Sequence, residues 1–392
     1  MKVATGLAIG AQAKPELAAK AVELAMAKAN IHAPSSVLLF LTSEFASDPQ
    51  SAIKAAAKAA SCTQIIGCSA TGIFTEEDWV IDSPAAAAMV FSDLNFSHLN
   101  FSHLNSSHLS SSHPKANESS NNLLLTLTAP SAINTTWLNS NEPNQSVLRF
   151  GGVSGDATGH GSFSVWQNGK GNTQGYCEVT LNNVSSAVAA THGLKLLSLP
   201  RKITACNGND LLSVANIPAL TSLNSAWQKH GSTWQKHDKS TTDLAYHQLM
   251  IVYAAKANQL ERGEYNLASI IIANKDKDSI TLTKPLQEGD WLSWAIRDID
   301  AAQIDMVKTA SALRRQLNAE PEFALLFSCL GRGPYFYNGT DQDLALLKTL
   351  FLKLPIIGFY GNGEIAPING VNELLQNSAV LGLFTHSNVS FL

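Results

Sequence analysis

Cationic clusters, paired thiols and long apolar runs are all missing from this sequence. Lysine and arginine number 27 against 31 acidic residues, for a formal net charge of −4, and they are scattered. The electrostatic footprint of a nucleic-acid binder is therefore absent. The five cysteines (Cys62, Cys68, Cys177, Cys206 and Cys329) are odd in number, widely spaced and lack a CxxC. That argues against a disulfide frame and for a reducing compartment, the cytoplasm. No apolar run is long enough to span a bilayer. Neither a structural zinc spacing nor a Walker or G-x-S-x-G motif occurs. No metal and no cofactor is expected.

What is present is a chain of 392 residues, 45% hydrophobic, which allows a large core. Residues 1–13 have the outline of a weak signal peptide with an A-x-A end, but one lysine and a short apolar stretch fit a strand over Val3–Ile9 better. A helix over Pro15–Ala29 follows, opened by proline and carrying Leu17, Ala21 and Leu24 on one face. Residues 37–41 read as a buried strand, Asp48 as the cap of an alanine-rich helix ending near Ala60, residues 64–67 and Ala85–Phe91 as further strands. Near the other end, 323–327 is a strand, 341–353 a helix and 355–358 a strand ending in glycine. Leu39-Phe40 matches Leu326-Phe327, and Ile65-Ile66-Gly67 matches Ile356-Ile357-Gly358, at offsets of 25 and 29 residues. The pattern is one strand–helix–strand–glycine unit used twice. It would bring two glycine-rich loops to equivalent strand ends, where ligands bind in open α/β sheets.

Between these units, strand-like pieces cover 147–153, 161–167, 280–286 and Trp291–Arg297, and a helix covers 301–317 with Ile304, Val307, Ala310 and Leu313 at helical spacing. Two low-complexity inserts interrupt the pattern. Asn95-Phe96-Ser97-His98-Leu99 recurs and decays towards Pro114, with histidines every five residues. A metal tract or a pentapeptide β-helix would need partner ligands or more coils, so a solvated loop is the better reading. Trp227-Gln228-Lys229-His230 recurs as Trp234-Gln235-Lys236-His237, a surface connection with both tryptophans on one helical face. The boundary between halves should fall at 218–225.

The chemistry-bearing residues follow the two late strands. Cys329-Leu330-Gly331-Arg332-Gly333 ends one, and Gly361-Asn362-Gly363-Glu364 ends the other. Arg332 is either a bidentate clamp for carboxylate or phosphate, or a structural partner of Asp298 or Glu364. Glu364 either receives an ammonium group or caps a turn; together the two charges suit a zwitterion. Cys329 is a reactive thiol beside exposed N–H groups, or a small buried residue at a strand end; Cys68 carries the same pair of readings. Gly151-Gly152-Val153-Ser154-Gly155-Asp156 is a phosphate nest or a hairpin. Tyr335, Phe336 and Tyr337 wall a pocket or pack.

At these residues the chain resembles the FIST family, in both its N-terminal and C-terminal domains. The resemblance rests on 327–333, Pro355, Gly358 and 361–367, on Asn377-Ser378, on Gly289 and Trp291–Arg297 with Asp298, and on 67–72, 150–156 and 218–220. It implies a FIST N-like domain over 1–220, with the low-complexity insert at 92–122, and a FIST C-like domain over 221–392. It also implies a sensory protein for intracellular signal transduction that binds a small molecule, an amino acid or related carboxylate. The chain departs from the family at Ile73, where relatives carry an acid. The expected fold is α/β, two related lobes with mixed sheets and outer helices, preferably a four-layer α-β-β-α sandwich. The expected ligand-binding set is Arg332, Gly331, Gly333, Asn362, Gly363, Glu364, Ser69, Asp156 and Arg297, with a small-molecule ligand, a downstream signalling protein, no nucleic acid and no membrane as partners. The alternatives are a thiol-dependent acyl-transfer or hydrolytic enzyme using Cys329, and a protein-interaction scaffold.

Overall fold

The structure, a computed structural model, describes residues 1–98, 123–133, 138, 147–155, 163–230, 246–263 and 265–387. It contains two compact units: Met1–Thr191 with Met306–Leu392, and His192–Asp305. The boundary expected at 218–225 lies inside the second unit.

The first unit begins with β1 (Val3–Ile9), α1 (Pro15–Ala29), β2 (Ser36–Thr42), α2 (Pro49–Ala60) and β3 (Ile65–Ala70). Then come β4 (Gly72–Thr75), β5 (Trp79–Ile81), β6 (Ala85–Phe91), β7 (Phe96–His98), β8 (Leu123–Thr128) and β9 (Leu148–Val153). Next are β10 (Val165–Gln167), β11 (Lys170–Gly171), β12 (Tyr176–Leu181) and β13 (Val184–Thr191). The second unit holds β14 (Leu194–Leu196), β15 (Arg201–Asn207), β16 (Asp210–Val214), β17 (Ile217–Pro218) and α3 (Ala219–His230). It continues through β18 (Leu249–Ala254), α4 (Ala257–Glu261), β19 (Asn266–Asn274), β20 (Ser279–Leu282) and β21 (Trp291–Arg297). Helix α5 (Ile299–Leu317) leads back to the first unit and β22 (Phe323–Cys329), α6 (Gln342–Leu350), β23 (Ile356–Gly361), β24 (Glu364–Ile368), β25 (Val371–Leu375) and β26 (Ala379–His386).

Two sheets of the first unit share one plan. Their strand orders are β1-β6-β2-β3-β10-β11 and β13-β26-β22-β23-β4-β5. In each, the third and fourth strands are parallel, Leu39 facing Gly67 and Leu326 facing Gly358. Every other neighbour pair is antiparallel. The duplicated unit read from the sequence is thus a real structural repeat, and the second unit is inserted between its copies. The copies exchange strands: β4 and β5 follow β3 in the chain, yet β4 pairs with β23 of the other sheet.

Residues on β2 and β22 alternate between two cores, which is why both strands read as unbroken apolar runs. Leu38 and Phe40 meet Phe323, Leu325, Phe327 and Phe359 in an inner core between the sheets. Phe40 and Phe359 are edge-to-face at 5.0 Å, and Phe323 stacks on Phe384 at 4.8 Å, geometries that add to simple burial. Val37, Leu39 and Leu41 face α1 and α2 instead; Ala324 and Leu326 face α6 and the part of α5 beyond Met306. These are the four layers α-β-β-α. A third sheet, β25-β24-β9-β8-β12-β7, adds Leu125, Leu127, Phe150 and Val179 to the inner core.

Two helix faces differ from their sequence assignment. On α1 the buried residues are Ala18, Ala21, Val22 and Ala25, while Leu24 is exposed. On α5 they include Met306, Ala310, Leu313 and Leu317, while Ile304 is exposed. Close approach decides the first case. A Cβ on Gly6 of β1 would lie 2.2 Å from the Ala21 carbonyl oxygen, so only small side chains fit that face.

In the second unit, β21, β15, β16, β20, β19 and β18 pair in sequence and β18 pairs back onto β21, closing an antiparallel barrel among the described residues. Closure removes exposed strand edges. Ile203, Leu211, Ile251, Ile280, Leu292 and Trp294 fill its core, joined by Leu220 and Leu223 of α3. The strand expected over 280–286 ends at Leu282. Of the inserts, Phe96–His98 is strand and residues 227–230 end α3; residues 99–122 and 231–245 lie outside the described residues.

Candidate functional site

The parallel pair β22–β23 places the two late motifs side by side, with Cys329 opposite Gly361. Beyond β22, a single 3-10 turn over Leu330–Arg332 turns the Arg332 side chain inward, where it is 1% exposed. Its fork closes on Asp343 of α6: Nε donates to Oδ2 at 2.8 Å and Nη2 to Oδ1 at 3.2 Å. Nη1 donates to the Thr191 carbonyl at 2.9 Å and Nη2 to its hydroxyl at 3.2 Å. The structural partner is therefore Asp343, not the Asp298 or Glu364 expected from the sequence; Asp298 instead caps α5 through the Ala301 N–H. Asp343 also accepts from the Tyr337 hydroxyl at 2.8 Å. Two residues earlier, Asp341 caps α6 through the Leu344 N–H at 2.9 Å and accepts from the Tyr360 hydroxyl. Burial, and then the neighbouring Asp343 charge, push the Asp341 carboxyl up to about 6. Burial likewise raises both tyrosine hydroxyls.

Glu364 opens β24 and is fully buried. Neither carboxylate oxygen makes a full hydrogen bond among the described residues, the Ser378 backbone N–H reaching the carboxyl only weakly. Loss of solvent drives its proton affinity well up, opposed by the Ser378 backbone N–H and the Arg332 charge nearby. A buried acid left this way calls for a proton or a ligand donor.

The glycines of both motifs approach protein, not open space. A Cβ on Gly331 would lie 2.5 Å from Asn377 Oδ1, and one on Gly333 would lie 2.9 Å from the Tyr360 ring. The Gly333 N–H donates to Cys329 and Leu330 carbonyls. Gly363 is held at φ 152° against the Leu375 carbonyl, a backbone state that favours glycine. Exposed Asn362 donates from its side chain to the Ser154 carbonyl at 3.2 Å. Ser69, at the end of β3, is buried and bonds to the Ser164 carbonyl. Cys329 is 9% exposed. Tyr337 is buried in the Asp343 network, whereas Tyr335 is exposed and donates to Asp82. Arg297 ends β21 in the second unit. Asp156 lies outside the described residues. Ile73 is buried in the inner core, and Glu76 receives Thr5, Lys28 and the Ile356 N–H instead of facing a ligand.

A second buried ion pair is not among the residues expected from sequence. Arg149 of β9 donates to Glu178 of β12 at 2.7 Å, with side chains 1% and 3% exposed. Its signal is an arginine inside an apolar strand segment, which needs a buried partner. Among the described residues no group of three or more His, Cys, Asp or Glu is placed to hold a metal, and no helix is long and apolar enough to cross a membrane.

The chain is 24% identical over 255 residues to an uncharacterized protein of Mycobacterium tuberculosis (strain CDC 1551 / Oshkosh), covering 65% of each chain. It is 24% identical over 257 residues to an uncharacterized protein of Mycobacterium bovis (strain ATCC BAA-935 / AF2122/97), covering 66% of this chain and 65% of the relative. The matches thus span just under two thirds of the relatives' length. Residues 35–216 match the FIST N domain and residues 228–367 the FIST C domain. FIST domains are associated with sensory, small-ligand-binding signal transduction. With both domains matched over most of its length, the chain belongs to the FIST family.

Proposed function

We propose that this protein is a sensor that reversibly binds a small polar metabolite, an amino acid or a related carboxylate, and reports it to a downstream signalling protein in the cytoplasm. The observation that carries the reading is Glu364, whose buried oxygens have no donors in full hydrogen-bond geometry among the described residues. An ammonium group would supply them. The ligand carboxylate would exchange for Asp343 on the Arg332 fork, since guanidinium pairs with either carboxylate in the same two-point geometry. Ser69, Asn362 and Asp156 would add hydrogen bonds, with the backbone of Gly331, Gly333 and Gly363 around them. Asp343 rides on the first turn of α6, so its release would move that helix and turn occupancy into a change of shape.

Calorimetry with a panel of amino acids on the full chain tests this. Saturable heat with wild type, lost in Glu364→Gln while that variant keeps its fold by circular dichroism, supports the reading. A panel giving no heat with wild type overturns it. Thiol catalysis at Cys329 has a separate test: modification by iodoacetamide at neutral pH no faster than free cysteine removes that alternative.

A further inference from the structure

The second unit contains a cleft of about 200 Å³ that has no part in the reading above. One wall is a single face of α3, with Ser222, Ser225, Ala226 and Lys229 at spacings of three, four and seven residues. The opposite wall is the segment from Leu197 to Arg201 that enters β15, and buried Trp294 of β21 also lines the cleft. Its chemistry is lopsided. Two cations, Arg201 and Lys229, face it with no acid, and neither has an ion-pair partner among the described residues. Ser222 is 3% exposed and accepts from Trp294 Nε1 at 3.1 Å. Leu199 and Ala226 supply apolar surface, with Leu197 and the indole buried beneath them.

We propose that this cleft binds a small organic acid, a carboxylate or phosphate monoester with a compact apolar or aromatic body. The anionic end lies at the rim between Arg201 and Lys229, and the body lies against Leu199 and Ala226, above the buried Trp294 and Leu197. Guanidinium and ammonium groups left without acids are the usual recognition elements for such anions. The volume is below the roughly 300 Å³ at which drug-sized sites begin, so a dinucleotide or other large cofactor is too big. The proposal does not rest on the Glu364 reading, and the two stand or fall separately.

The probes are benzoate and phenyl phosphate, with neutral benzamide and inorganic phosphate as controls, titrated into the full chain at low salt. Saturable binding of at least one aromatic anion is expected, with benzamide and inorganic phosphate at least tenfold weaker. Arg201→Gln and Lys229→Gln, on solvent-reaching side chains, should each weaken it about tenfold, the loss of one charged hydrogen bond. Ser225→Phe, at the exposed rim of the same helix face, should block the cleft without touching a charge. The proposal is overturned if neither aromatic anion binds, if benzamide or inorganic phosphate binds as well, or if binding survives the charge and rim variants unchanged.

Discussion

Asp343 meets Arg332 through both carboxylate oxygens, at 2.8 and 3.2 Å, with both side chains almost wholly out of solvent. Burying such a pair is expensive, yet removing one member is worse because the other charge stays behind unpaired. Asp343→Asn should therefore destabilise the protein by about 3–5 kcal/mol. Urea unfolding followed by circular dichroism reads this; a loss below about 1 kcal/mol would mean that the pair is dispensable.

Asp341 predicts a pH dependence of the opposite kind from most carboxylates. Its carboxyl titrates near 6 when folded against a reference of 3.8, so between about pH 4 and pH 6 the folded state holds a proton that the unfolded state has lost. Stability from this group falls as pH rises through that window and is flat above it. Asp341→Asn keeps a capping residue and removes the titration. Its stability relative to wild type should rise by a few kcal/mol from pH 4 to pH 7, because one proton held across one pH step is worth about 1.4 kcal/mol. Parallel denaturation curves at every pH would refute the assignment.

Glu364 obeys the same sign, since burial raises it well above 4.5. Glu364→Gln should match wild type at pH 4 and become the more stable protein as pH rises, as thermal melts across that range would show. A variant less stable than wild type at high pH would mean that the carboxylate is held by donors.

Gly67 and Gly358 hold equivalent places, each facing a leucine across the parallel pair. An added Cβ would lie 1.7 Å from the Leu39 carbonyl oxygen in one and 1.8 Å from that of Leu326 in the other. Either Gly→Ala change should cost more than about 3 kcal/mol, since backbone cannot yield as a side-chain tip does. Soluble expression and urea midpoints measure it; near-wild-type midpoints for both would contradict the packing.

Thiol labelling should sort the cysteines by depth. Burial pushes Cys177 up to about 12 and raises Cys68 further from reactivity, while Cys62 and Cys206 are partly exposed. Mass spectrometry after brief alkylation should find Cys206 modified first and Cys68 and Cys177 only after unfolding. Early labelling of Cys68 would place it outside the core.

Much of the repeat is legible in the sequence because buried parallel strands leave continuous apolar runs, and Val3–Ile9 and Ala85–Phe91 match their expected bounds to the residue. Helix faces mislead where size is taken for burial. Ala18 and Ala25 sit inside while Leu24 and Ile304 face water, because tight backbone approach selects the small residue. The barrel is not legible, since its closure joins β18 to β21 some forty residues on and short alternating strands carry no mark of their partners. In the site, Arg332 and Glu364 stand out as charges beside glycines, but Asp343 is hidden in a helix start, where an acid is ordinarily explained by capping or the helix dipole.

The exchange of β4 and β5 has a consequence for anyone dissecting this molecule. The FIST N and FIST C segments are interlaced, not beads on a string: β13, β4 and β5 complete a sheet whose centre is β26, β22 and β23. A fragment cut between them would leave one part with dangling ribbons and the other with a bare ladder edge along Ile356–Gly361, an invitation to pair with a neighbour's copy. Two such fragments are better mixed than studied apart, because each carries the missing border of the other.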